Sequence, residues 1–199
     1  MNNYDVNDLY IKFNTTINFD KCIKIPELNI IIGKDTEIGA DTIIRSNVVI
    51  NSEVTIGNKC HIGNFVLIRE GVKIGYNTKI GAFNAIETKA RIGDNVRTQG
   101  HCMISEYSEI GNNVFLGPHF NSMGDNTIGA PVDEYIANPP IIGDNCRFGS
   151  ATKIIPGINI SRGTITGAMT LLTKDTEPNS FYLGIPGKKI KTLTKDLII

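Results

Sequence analysis

Three histidines, a few carboxylates and a lysine-rich tail hold most of the chemistry that this chain can perform near neutral pH. His61, His101 and His119 are its only histidines, and imidazole is the side chain whose ordinary titration falls in the physiological range. His61 lies just before Ile62 in regular sequence and reads as structural or surface. His119 stands directly before FNSMGDNTIGAPVDEYIANPP, residues 120–140, which breaks an otherwise regular rhythm. A general acid–base role is best placed there. Asp125 lies in the same stretch, although an aspartate in GDN also has a plain role in a turn. Asp133 and Glu134 read as solvated or as contacts to a neighbouring chain. Near the other end, Lys174 and the cluster from Lys188 to Lys191 are local counter-charges suited to phosphate groups. GIPGKK is no P-loop, because it lacks the upstream glycine at the right spacing and the Ser or Thr after the lysine.

The elements that must position these residues come from a different signal. Every sixth residue from Ile32 to Ile92 is isoleucine, and the register runs on through Thr98, Ile104, Ile110 and Leu116, lapses at Ser122, and restarts at Ile142, Phe148, Ile154 and Ile160. A period of six fits neither a helix nor a simple alternating strand, and it matches a hexapeptide solenoid. Glycine commonly follows the apolar residue, Asn or Asp recurs three places after it, and a small or β-branched residue stands four places after it. Such types suit close corners and positive φ. Three short strands and three turns then make one coil of about 18 residues, with the isoleucines stacked inside. The expected organisation is an N-terminal cap over residues 1–30, an all-β helix over 31–172 with a protruding loop at about 120–141, and a C-terminal tail over 173–199.

Composition narrows the partners. Lys plus Arg and Asp plus Glu number 20 each in 199 residues, so no overall field favours nucleic acid or an anionic membrane. The start, MNNYDVNDLYIKF, lacks a signal peptide's basic and apolar regions, and no run approaches the roughly 18 apolar residues needed to span a bilayer. A cytoplasmic protein is expected. Cys22, Cys60, Cys102 and Cys146 match no disulfide framework or C-x-x-C motif. Cys60, Cys102 and Cys146 fall at the small corner position of their repeats and read as packing residues.

The repeats and the ending TKDTEPNSFYLGIPGKKIK resemble the hexapeptide-repeat acyltransferases over about residues 30–192. That resemblance implies a left-handed parallel β-helix, a homotrimer with sites between subunits, and acetyl-CoA as co-substrate with no metal. RTQGHCMISEYSEIGNNVFLGPHFNSMGD is similar to a segment of the amino-sugar N-acetyltransferases of that family, departing from it at Gly100, Gly124 and Asn126. The similarity matches Asp125 as a catalytic group and His101 and Glu106 as acceptor contacts; His119 joins Asp125 as a catalytic candidate by its place directly before the interruption, and Asn121 is a further candidate acceptor contact. It also implies main-chain contacts from Ser150 and Ala168 to the pantetheine arm, with Thr173, Lys174, Lys188 and Lys191 toward the nucleotide. The activity implied is transfer of acetyl to the amine of a nucleotide-linked amino sugar; the alternative is O-acetyl transfer to a sugar or other small hydroxyl acceptor. Two other classes share the fold: a zinc hydrolyase of the carbonic anhydrase type, for which the three histidines are too scattered, and a β-helix module without a catalytic site.

Overall fold

The computed structural model describes residues 4–7, 9–127 and 136–194 and is a three-sided solenoid. Two-residue strands such as His61–Ile62, Leu67–Ile68 and Lys73–Ile74 follow one another around its sides. Each pairs in parallel with the strand one full coil later: His61 with Lys79, Leu67 with Ala85, Lys73 with Arg91. Among the described residues the three stacks form sheets of 11, 9 and 8 strands. No described helix is long and apolar enough to cross a membrane.

The six-residue period sets which side chains face inward. In each of these strands the second residue is buried, and Ile44, Ile50, Ile62, Ile68 and Ile86 are all 0% exposed. Full burial of one such side chain contributes about 1.5–3 kcal/mol, so a continuous isoleucine column can hold coils that have almost no regular strand length. The first residue of each strand faces out, and the three faces differ sharply in chemistry. One carries His61, Lys79, Arg97 and Arg147 and is here called the basic face. The next carries Ile31, Val49, Leu67, Ala85 and Met103, the apolar face. The third, the mixed face, carries Glu37, Thr55, Lys73, Arg91 and Glu109.

Corner residues three places after the inward position hold positive φ, as expected for Asn77 (52°), Asn95 (55°) and Asn113 (57°). The amide of Asn77 donates to the Asn95 side chain at 2.8 Å, tying one coil to the next. The glycines act differently from the simple corner role that their position suggests. A Cβ on Gly81 would stand 2.5 Å from the Gln99 carbonyl carbon of the next coil, so glycine is required for close stacking of coils.

The N-terminal segment closes the first coil by running backwards around it. Tyr10–Phe13, Ile17–Phe19 and Ile23–Ile25 each pair antiparallel with a strand of a different face. At the other end Ser180–Leu183 still pairs in parallel with Ile165–Thr166, and Lys188–Thr192 then folds back antiparallel upon it. The ladder of the basic face therefore continues into the tail.

Three of the four thiols lie inside the corners. Cys60, Cys102 and Cys146 are buried, and burial pushes each thiol up to about 11. Their sulfurs reach the Gly75, Gly117 and Ser161 carbonyls at 3.0, 3.3 and 3.3 Å. Since the thiolate is the reactive form, titration of the native protein with a disulfide reagent at pH 8 is expected to label only exposed Cys22 rapidly, with the other three reacting after denaturation.

Candidate active site

The interruption begins later than its sequence suggests. Asn121–Ser122 is still a strand of the apolar face, with Asn121 in register between Met103 and Lys153. The chain leaves the coil after Gly124 and returns through Asn138, whose N–H donates to the Gly124 carbonyl at 2.7 Å and whose carbonyl accepts from Gly157 N–H at 2.7 Å. Asn138 thus stitches the base of the loop into the corner ladder. Asp133 and Glu134 lie outside the described residues.

A pocket of about 410 Å³ opens at this base, lined by Glu87, Met103, Glu106, Asn121, Met123 and Asp125 among others. Its floor is the place where the isoleucine register lapses. Ser122 takes the inward position, and its hydroxyl lies 3.0 Å from that of Ser105, which is 2.9 Å from that of Ser108. The trio satisfies its own buried polar atoms, so the gap left by the missing isoleucine is filled without orphaned donors.

Three half-buried carboxylates converge on the pocket. Asp125 Oδ1 accepts the backbone N–H of Thr127 at 2.6 Å and also the Thr127 hydroxyl, which fixes it in a tight turn. Glu87 pairs with Arg69 at 3.4 Å. Burial first, then the charges of Glu87 and Asp125, push the Glu106 carboxyl above the usual range. Glu106 is therefore held nearer to its protonated form than an ordinary glutamate. Among the described residues, no group of three or more His, Cys, Asp or Glu is placed to hold a metal ion.

His101 and His119 sit at the other edge of the apolar face. They are part of a ladder down the corner between the basic and apolar faces, in which the rings of Phe65, Phe83, His101 and His119 stack at 4.8–4.9 Å and within 10° of parallel. All four residues hold φ between 57° and 60°, which points successive rings outward in one row. His119 thus lies at the start of the strand Asn121–Ser122 and Asp125 beyond its end. Within one chain they flank the apolar face from opposite sides. Lys153 Nζ reaches the His119 carbonyl at 3.4 Å.

The remaining candidate residues divide between the same two edges. Ser150 and Ala168 continue the histidine edge in the following coils, and the Ser150 carbonyl accepts from Met169 N–H at 2.7 Å. Thr173 and Lys174 follow Leu171–Leu172, the last strand of the apolar face, on the pocket's edge. Lys188 and Lys191 are exposed on the terminal strand.

Glu87 was missed in the sequence, yet a signal for it exists. From Ile50 onward the glycine after the inward residue disappears at every third corner, giving Asn51, Arg69, Glu87, Ser105 and Met123. These fall on one edge, between the apolar and mixed faces, and that edge carries the pocket.

The comparisons with known proteins agree with this architecture. A family model for the GMPPB C-terminal domain matches residues 27–120. A UDP-N-acetylglucosamine acyltransferase from Campylobacter jejuni superposes with a TM-score of 0.70 at 22% identity, over 84% of this chain and 70% of that one. The fold is shared with that acyltransferase. The N-acyltransferase AntD from Bacillus cereus, solved with dTDP and 3-hydroxybutyryl-CoA, matches this solenoid with a TM-score of 0.55 at 20% identity, over 79% and 82% of the two chains. In sequence the solenoid is 38% identical over 61 residues to a Staphylococcus aureus protein named as an acetyltransferase, covering 31% of each chain. It is 35% identical over 75 residues to the chloramphenicol acetyltransferase of Klebsiella aerogenes, covering 37% of this chain and 36% of that one. The chain spans about a third of the length of these two relatives.

Proposed function

We propose that the protein transfers the acetyl group of acetyl-CoA to the amine of an amino sugar carried on a nucleotide. The observation that carries this reading is the convergence of Glu87, Glu106 and Asp125 on one pocket at the base of the loop. Three carboxylates attract and orient an ammonium group far better than a neutral hydroxyl. The amine must then lose a proton before it can attack a thioester. Asp125 holds the ammonium, and the coupled pair Asp125–Glu106 accepts the proton. The nucleotide-linked acceptor and the CoA donor are supported by the fold shared with AntD, which was solved with dTDP and a CoA thioester.

The chain is proposed to act as a homotrimer with the apolar face turned to the threefold axis. A stripe of Val49, Leu67, Ala85 and Met103 along one sheet, with Phe65 and Phe83 about half exposed at its edge, is what a buried interface requires. Geometry then gives the consequence. When three triangular prisms turn the same face inward, one edge of that face meets the opposite edge of the neighbour's. His119, Ser150 and Ala168 of one copy thereby face the Asp125 pocket, Thr173 and Lys174 of the next. In this arrangement His119 supplies an N–H toward the oxyanion that develops on the thioester carbonyl, and the CoA arm runs along the groove between copies toward Lys188 and Lys191.

The test is thiol release from acetyl-CoA with nucleotide-linked amino sugars, free amino sugars and their hydroxyl counterparts. Release with amine acceptors is expected; release only with hydroxyl acceptors overturns the N-acetyl reading.

A further inference from the structure

The basic face carries a charge pattern that the proposed reaction does not use. His61 pairs with Lys79 and Lys79 with Arg97 in register on neighbouring strands, so their outward side chains rise from backbones about 4.8 Å apart. Arg45 stands beside this row, at the end of the strand that pairs with His61. No Asp or Glu occupies an outward strand position of this face between Ile43 and Ile165. In a chain with 20 acidic and 20 basic residues, this is segregation of charge, and the acidic pocket lies on the edge opposite. The ion pairs among the described residues, Lys12–Asp41, Lys34–Asp35, Arg69–Glu87 and Lys189–Glu177, include none of these cations.

One contact shows that the cations are arranged and not merely exposed. Arg45 Nε donates to His61 Nε2 at 3.0 Å, so the neutral ring carries its hydrogen on Nδ1 and the guanidinium keeps both terminal NH2 groups for an anion. Burial, then the charges of Arg45 and Lys79, hold His61 below its usual value, which preserves it as an acceptor near pH 7. Lys79 and Arg97 are exposed, and Arg97 also lies 5.6 Å from the centre of the Phe115 ring. A groove of about 280 Å³ runs among Arg45, His61, Asn64, Lys79 and Arg97.

We propose that this groove binds a diphosphate or longer oligophosphate group, at a site separate from the acidic pocket. Its cations Arg45, Lys79 and Arg97 come from three different coils, with the neutral His61 on the coil between Arg45 and Lys79, so two or more linked phosphates can each meet a cation where a single phosphate meets fewer. With the apolar face turned to the threefold axis, the row of His61, Lys79 and Arg97 faces away from the axis, and the Asn64 side of the groove borders the edge that meets the next copy.

Isothermal titration calorimetry of the full chain with inorganic pyrophosphate, inorganic phosphate and a nucleoside diphosphate tests this. Pyrophosphate is expected to bind saturably and more tightly than phosphate, and the affinity should fall as salt is raised. K79Q and R97Q, both at exposed positions, are each expected to weaken binding about 10-fold, the loss of one charge-assisted contact, while D125N leaves it unchanged. Equal binding of the nucleoside diphosphate means that the phosphates alone are recognised, and tighter binding means that Phe115 also stacks with the base; both support the site. Absence of saturable pyrophosphate binding, or binding unaltered in K79Q and R97Q, overturns it. Loss in D125N alone would place the anion elsewhere and also overturn it. Failure of the acetyl-transfer reading leaves these outcomes untouched.

Discussion

Asp125→Asn lowers turnover by about 100-fold or more with little change in the folded state, as expected for a group that orients and deprotonates the acceptor. The carboxylate is fixed by Thr127 through its backbone N–H at 2.6 Å and its hydroxyl, and the amide keeps one oxygen for those contacts while removing the charge. Glu106→Gln is expected to fall in the same range, because the two carboxyls share one proton-accepting role. A pH profile separates this from a structural effect. The pair must be ionised to take the proton, and burial first, then the charges of Glu87 and Asp125, raise the Glu106 carboxyl by opposing its ionisation. Glu87→Gln removes the Glu87 part of that opposition. The acid limb of the wild-type profile should therefore lie above the ordinary carboxylate range, and in Glu87→Gln it should shift to lower pH. An unchanged limb would remove Glu106 from the reaction.

A charge placed on the apolar face is expected to abolish activity without touching either edge. Leu67 and Met103 face outward on strands of that face, each paired through Ala85 between them. Leu67→Glu with Met103→Glu adds like charges that three copies would have to bury together, at a cost of several kcal/mol for each unpaired ion. Sedimentation is expected to show a monomer whose thermal transition is still cooperative, because the inward isoleucine column is intact. Turnover should drop by about 100-fold or more, the scale on which a separated catalytic group is felt. A fully active monomer would refute the shared site.

The fold was legible because its cause repeats. One inward isoleucine per six residues, with a small residue at each corner, constrains the chain at every coil, and the parallel pairing of His61 with Lys79 or Lys73 with Arg91 follows from it. The N-terminal segment shows in the sequence only as a loss of rhythm. Nothing in residues 1–30 shows that Tyr10–Phe13 reverses to pair antiparallel with Thr42–Arg45, since that direction depends on long-range pairing and not on local pattern. The candidate pocket was legible in part. Asp125 and Glu106 were found through motif similarity and do meet in one pocket, whereas His119 and Asp125, only six residues apart, lie on opposite edges because six residues is one side of the triangle. Proximity in sequence here means separation in space. Glu87 was hidden because a missing glycine is noticed only when corners are counted in threes.

Subunit complementation tests the central proposal most directly. His119→Ala and Asp125→Asn chains, each inactive as a homotrimer, are mixed in equal amounts after unfolding and refolded together. If each site takes His119 from one copy and the carboxylates from the next, about one site in four is built from two intact halves, by random assembly around a closed ring. The expected result is recovery of about a quarter of wild-type thiol release. A mixture no more active than the mean of the two variants would show that the edges do not meet between chains, and would contradict the shared site.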